Sequence, residues 1–162
     1  MVMLPVAALC MGTLIAVFVF GTRSFHAVIN YTELGAKNRY AANVMLREIR
    51  EANSISSYNT NSLSIVDGSG VTVAYTYDPN QCTLTRQRND VSTVLLTGCD
   101  RMKFDLGERN PIGGSYAVYP PATAATAKVV DVSWLCSRTI LGVKQYSESV
   151  QTARIVIRKQ GT

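Results

Sequence analysis

The sequence predicts an α+β protein, with a long N-terminal α-helix packed on an antiparallel β-sheet head of about seven strands. Three observations carry this reading. Residues 1–22 contain no charged side chain, and the first one is Arg23. From Arg23 to about Ala52 there is no proline, and apolar residues recur at helical spacing. After Asn53 the period drops to two, in short runs separated by turn residues. The chain of 162 residues divides accordingly into an apolar helix at 1–22, its amphipathic continuation at 23–53, and a β-rich head at 54–162.

The first element is the run MVMLPVAALCMGTLIAVFVFGT. At ~1.5 Å rise per residue, about 20 helical residues span the ~30 Å hydrocarbon core of a bilayer. The run has no basic stretch before it and exceeds the ~7–15 apolar residues of a usual secretory signal. It therefore reads as a helix that stays in apolar surroundings, whether lipid or other copies of itself. Leu4, Val6, Leu9, Leu14, Ile15, Val17, Phe18, Phe20 and Phe25 are its candidate assembly residues. Leu34, Ala41, Met45, Ile49 and Ala52 continue the helix as a single apolar stripe, with Arg39, Arg47, Glu48, Arg50 and Glu51 mostly off it. A continuous helix would be on the order of 75 Å long. That is too long for a compact domain of this size, so its first half must protrude. Pro5, Gly12 and Gly21 are the places where it could kink.

The strands follow in order. Leu63 and Ile65 alternate with serines, and Asp67-Gly68-Ser69-Gly70 reads as a turn. Val71 to Tyr77 alternates again up to a turn at Asp78-Pro79-Asn80. Cys82–Arg86 and Ser92–Leu96 flank a third turn at Arg88-Asn89-Asp90. Met102, Phe104 and Leu106 form one further apolar face. Val130, Val132, Trp134 and Cys136 form another, and Ala153, Ile155 and Ile157 a third. Residues 107–128 form a long loop with three prolines and two tyrosines. Loops of this length in a compact domain are uncommon and often functional, although a plain surface loop is the simpler alternative.

Charge and cysteines narrow the function classes. The net charge is +5 with only 17% charged residues, and the basic ones are scattered: Arg86, Arg88, Arg138, Lys144, Arg154, Arg158, Lys159. Without a dense basic block, nucleic-acid binding is only weakly supported. Four cysteines are present: Cys10 in the apolar run and Cys82, Cys99 and Cys136 in the head. Cys82 and Cys99 bracket a predicted hairpin, while Cys99 and Cys136 each lie at or near a strand, so either pair could form one structural disulfide in an oxidising compartment. Disulfides place the head outside the cytoplasm. The basic residues that follow the apolar run (Arg23, Lys37, Arg39) place it inside. A basic leader upstream of Met1 would reconcile the two.

No enzyme signature is present. The single histidine, His26, sits on the helix far from the head, so a Ser–His–acid arrangement has no base there. No glycine-rich phosphate loop follows a strand and opens a helix. Asp100 and Asp131 are expected to pair with Arg101, Lys103 or Arg138 rather than to work as an acid/base couple. No cofactor or metal ligand set is expected.

The whole layout resembles the type IV pilin and pseudopilin family. The likeness is strongest in TRSFHAVINYTELGAKNRYAANVMLREIREAN (22–53), VLLTGCD (94–100) and VSWLCSRTILG (132–142). Cys99 and Cys136 match cysteines of that pattern, so the resemblance favours them as the bridged pair. It departs at the start: members carry a leader ending in glycine, then a Phe-like residue and a glutamate a few positions on. Here Met3 or Leu4 stands where the acid would fall, followed by Pro5. No cleavage or carboxylate role is therefore transferred to any residue. The resemblance implies a filament subunit, held in the inner membrane by its helix and then packed by pilus or secretion assembly machinery, with copies of itself, into an extracellular filament at the bacterial surface. Apolar helix faces would bury one another at about 25 cal/mol per Å². The competing expectation is a monomeric membrane-anchored module that binds DNA, a surface or a secreted substrate.

Overall fold

A single helix, α1 (Met3–Glu51, 49 residues), opens the chain and is about 74 Å long. The computed structural model describes residues 3–110, 112–114, 119–140, 143–146 and 151–158, with side chains at 3–8, 27, 30, 31, 114, 139, 140, 143–146 and 151 outside that description. None of the expected kink sites breaks α1. Pro5 lies in the first turn, where its missing N–H has no carbonyl to meet, and the helix runs on through Gly12 and Gly21. Three threonines in the exposed half turn their hydroxyls back on helix carbonyls: Thr13 to Cys10, Thr22 to Val19 and Thr32 to Ile29, at 2.8, 2.9 and 2.8 Å. Their polar groups are thus satisfied without water, as apolar surroundings require.

At its far end the helix passes directly into the sheet, with the Asn53 amide donating to the Val66 carbonyl at 2.8 Å. Five strands follow as an antiparallel meander: β1 (Ser54–Asn59), β2 (Ser62–Val66), β3 (Thr72–Asp78), β4 (Thr83–Arg88) and β5 (Val91–Thr97). The turns between them obey local chemistry. Asp67 Oδ1 accepts the amides of Ser69 and Val71. Asn89 and Asp90 both have positive φ (47° and 62°), which a tight two-residue hairpin between β4 and β5 requires. A second antiparallel sheet is built on the twelve-residue β7 (Val129–Ile140), which pairs with β6 (Cys99–Gly107), β8 (Val143–Tyr146) and β9 (Gln151–Val156).

The described head therefore has nine strands in two sheets, two more than the alternation in the sequence suggests. The additional ones are β1 and β8. In β1 only Ile55 is buried and the next four residues are exposed, so no period of two shows. β8 is the four-residue VKQY. Gly98 is the pivot between the sheets. It adopts φ +66°, and a Cβ there would collide with the Ser137 carbonyl oxygen, so only glycine fits. Across the junction the Tyr58 hydroxyl donates to the Phe104 carbonyl at 3.0 Å and the Tyr77 hydroxyl to the Cys99 carbonyl at 2.9 Å.

The helix stripe closes the core. Leu34, Ala41, Met45, Ile49 and Ala52 are all buried, and α1 packs on β5, β7 and β9. Leu63, Ile65, Val73 and Tyr75 from the first sheet join Phe104, Val130, Val132 and Trp134 from the second in one cluster. Burying each large apolar side chain contributes about 1.5–3 kcal/mol.

The 107–128 segment is more tied down than a free loop. The Ala122 amide donates to the Leu106 carbonyl at 3.1 Å and the Lys128 amide to the Gly107 carbonyl at 2.9 Å, and Ala127 is fully buried. A Cβ on Gly107 would come within 2.9 Å of Tyr119 Cβ, so glycine permits this close return of the chain. Pro111 and Tyr116, which the sequence places in the same loop, lie outside the described residues.

Candidate assembly site

The exposed half of α1 is the most unusual surface of the molecule. Leu9–His26 is a helix long and apolar enough to cross a membrane, and none of it is buried against the head. Of the candidate assembly residues, Leu9, Leu14, Ile15, Val17, Phe18, Phe20 and Phe25 are all exposed; the side chains of Leu4 and Val6 lie outside the described residues. Met11, Val19, Val28 and Ile29 belong to the same surface, and exposure across the set runs from 41% at Val19 to 73% at Phe20. Because Leu14, Ile15, Val17 and Phe18 step around the axis by ~100° per residue, the apolar surface covers every face rather than one stripe. Exposed apolar area on this scale marks a membrane or protein interface. Beside Gly21, an open hollow of about 510 Å³ runs between Phe18 and Phe25.

Among the described residues, three side-chain links fasten the other half of the helix to the head, placed along its length. Nearest the apolar half, Glu33 bonds both guanidinium nitrogens of Arg138 at 3.1 and 3.3 Å and also pairs with Lys37 at 3.0 Å. Arg138, and then Lys37, hold the Glu33 carboxyl down at about 2. Next, the buried Trp134 ring N–H donates to Asn38 Oδ1 at 3.3 Å. Last, Glu48 receives Arg86 Nε at 2.8 Å and Arg86 Nη2 at 2.5 Å, together with the Tyr75 hydroxyl. Burial pushes the Glu48 carboxyl up, but the Arg86 and Tyr75 hydrogen bonds outweigh it and leave the group below its ordinary value. Burial and the neighbouring carboxylate push the Tyr75 hydroxyl well up, so it remains a donor.

Sequence reasoning missed all three links. Asn38 falls on the buried stripe, but as a polar residue it drops out of an apolar count, and Glu48 reads as solvated. Only the Glu33–Lys37 spacing of four residues was a visible signal. The expected pairing of Asp131 is also corrected: it binds Arg154 through two 2.8 Å bonds. Lys103 pairs with Asp105 at 2.8 Å, and Arg138 reaches Glu33 on the helix. Strand register decides this, because Asp131 lies opposite Arg154 on β9.

The cysteines sort as follows. Cys99 and Cys136 are register partners across β6 and β7, and both are fully buried. They are thiols in this structure, and their sulfurs are in hydrogen-bond contact, which lowers the Cys99 thiol and raises that of Cys136. Cys82 is half-buried and its carbonyl accepts the Cys99 amide at 2.8 Å, while its own sulfur approaches the Pro79 carbonyl at 3.5 Å. Cys10 is exposed on the apolar half of α1. Among the described residues no group of three or more His, Cys, Asp or Glu is arranged to hold a metal ion.

No protein-family model matches the chain, and no curated protein matches it.

Proposed function

We propose that the chain is the structural subunit of a type IV pilus-like or pseudopilus filament, which it enters through the exposed half of α1. One observation carries this reading: exposed apolar side chains cover the helix all round over Leu9–Phe20, on the same unbroken rod whose other half packs one face on the head. A rod of this kind is stable only where its apolar surface is covered. In the inner membrane, lipid covers it; in an assembled fibre, the helices of neighbouring copies do, with the heads outside. Cys99 and Cys136 form the head's disulfide once the chain is in an oxidising compartment. The apolar helix alone also suits a monomeric anchored module, and the test separates the two.

Electron microscopy of surface-sheared material, with mass spectrometry of its protein, is the deciding measurement. Thin helical fibres composed of this chain support the proposal. Recovery solely as detergent-solubilised monomers sinks it and leaves the anchored binding module.

A further inference from the structure

Where α1 ends against β9, four arginines surround a single hollow. Arg47 and Arg50 come from the last two turns of the helix, Arg154 from β9, and Arg158 from just beyond it. The hollow is open to solvent and has a volume of about 490 Å³. The Arg158 amide donates to the Arg50 carbonyl at 3.2 Å, which holds the two elements together at this point. Arg154 is engaged by Asp131. Arg47, Arg50 and Arg158 form no ion pair among the described residues, and Glu51 is the one carboxylate in the lining. A basic residue in the last helical turn complements the helix dipole, and Arg50 alone meets that need. Two further arginines lining the hollow, Arg47 from the helix and Arg158 from beyond β9, exceed it.

We propose that this hollow binds phosphate groups. Guanidinium forks match phosphate oxygens in geometry, and a phosphate brings the charge and acceptors that three arginines require. A second copy of the chain is a poor source of the anion, because six of its ten described carboxylates are engaged internally: Glu33 by Arg138, Glu48 by Arg86, Asp67 by Arg88, Asp105 by Lys103, Asp131 by Arg154, and Asp78 by the amides of Asn80 and Gln81. The headgroups of the membrane around Leu9–His26 are also out of reach, since Arg47 lies about 30 Å further along the helix axis. The ligand is therefore a soluble phosphate compound or a phosphodiester chain that approaches the head from outside.

The test titrates the full chain in uncharged detergent micelles with inorganic pyrophosphate and, separately, with fluorescently labelled ten-residue oligothymidylate. With three phosphates neutralised, the logarithm of oligonucleotide affinity should fall against the logarithm of salt with a slope of about −2, a loss of roughly 20-fold between 50 and 200 mM. The double variant Arg47→Gln/Arg158→Gln should bring that slope near −0.7 and abolish pyrophosphate binding, while leaving the Trp134 unfolding transition in place. Pyrophosphate binding lost in the variant identifies a small phosphate ligand; oligonucleotide binding alone, lost in the variant, identifies a phosphodiester chain; either supports the assignment. The proposal is overturned if neither probe binds, if the variant binds as well as the parent, or if polyglutamate of equal charge competes as well as the oligonucleotide.

Discussion

Replacing Glu48 by glutamine should loosen the joint between helix and head while leaving its shape intact. The carboxylate is 11% exposed and its partner Arg86 is 17% exposed, so the pair is nearly dry. Glutamine fills the same space but is neutral and presents an NH₂ group to a guanidinium that has only donors. The hydroxyl of Tyr75 competes for the one remaining oxygen. Breaking a buried pair by removing one partner costs about 3–5 kcal/mol. The residual exposure places this case at the low end, near 3 kcal/mol. For a chain of this length that corresponds to a fall in Tm of roughly 9 °C. Thermal unfolding of the full chain in micelles, followed through Trp134, the only tryptophan, measures it. Acid titration supplies a second reading. The Glu48 pKa is lower in the folded chain than in the unfolded one. The pair's contribution is therefore full above the ordinary 4.5 and is lost as pH falls through the folded value. The variant should show a flatter acid limb. Adding Arg86→Met to Glu48→Gln should restore part of the loss, because no charge is then left buried. A single variant within 1 kcal/mol of the parent, or a double variant less stable than the single, would refute the reasoning.

Three other outcomes follow from the same geometry. Phe20→Asp places a charge in the middle of the apolar run at a cost of about 3 kcal/mol in a membrane, and should eliminate sheared fibres while leaving the unfolding of the head unchanged. After air oxidation, non-reducing peptide mass spectrometry should find Cys99 linked to Cys136 and Cys82 open to alkylation; a Cys82–Cys99 linkage would contradict the β6–β7 register, and Cys99→Ser should lower oxidised-state stability by about 2–4 kcal/mol. Gly98→Ala should cost at least about 2 kcal/mol by denaturant unfolding, because both its positive φ and the nearby Ser137 carbonyl oppose a side chain.

The parts of the fold that repeat were readable in the sequence, and the parts that depend on one partner were not. Leu34, Ala41, Met45, Ile49 and Ala52 announce a buried helix face through spacing alone, and all five are buried. Alternation likewise exposes β2, β3, β6, β7 and β9, because each has one dry face. β1 lacks that face: its pairing comes from the backbone of β2 and its turn, which side-chain patterning does not report. The polar links were hidden for a related reason. Glu48 and Arg86 are separated by 38 residues, and nothing in either neighbourhood marks them as a pair until strand register brings them together. The apolar half of α1 was legible as a surface, and the structure leaves it uncovered by the head. The arginine hollow is a further instance, since Arg47 and Arg158 look like scattered charges until β9 returns alongside the helix.

The unbroken path of α1 has a mechanical consequence. The apolar half and the head-docked half share one rod with no swivel between them, so the angular setting of the head is dictated by how the apolar half is seated. A single residue inserted between Ala27 and Thr32 would turn the head by about 100° and advance it ~1.5 Å relative to the apolar half. Inserting seven residues would nearly cancel the rotation while lengthening the stalk by ~10 Å. The molecule thus behaves as a keyed shaft, in which phase rather than length fixes which way the head faces.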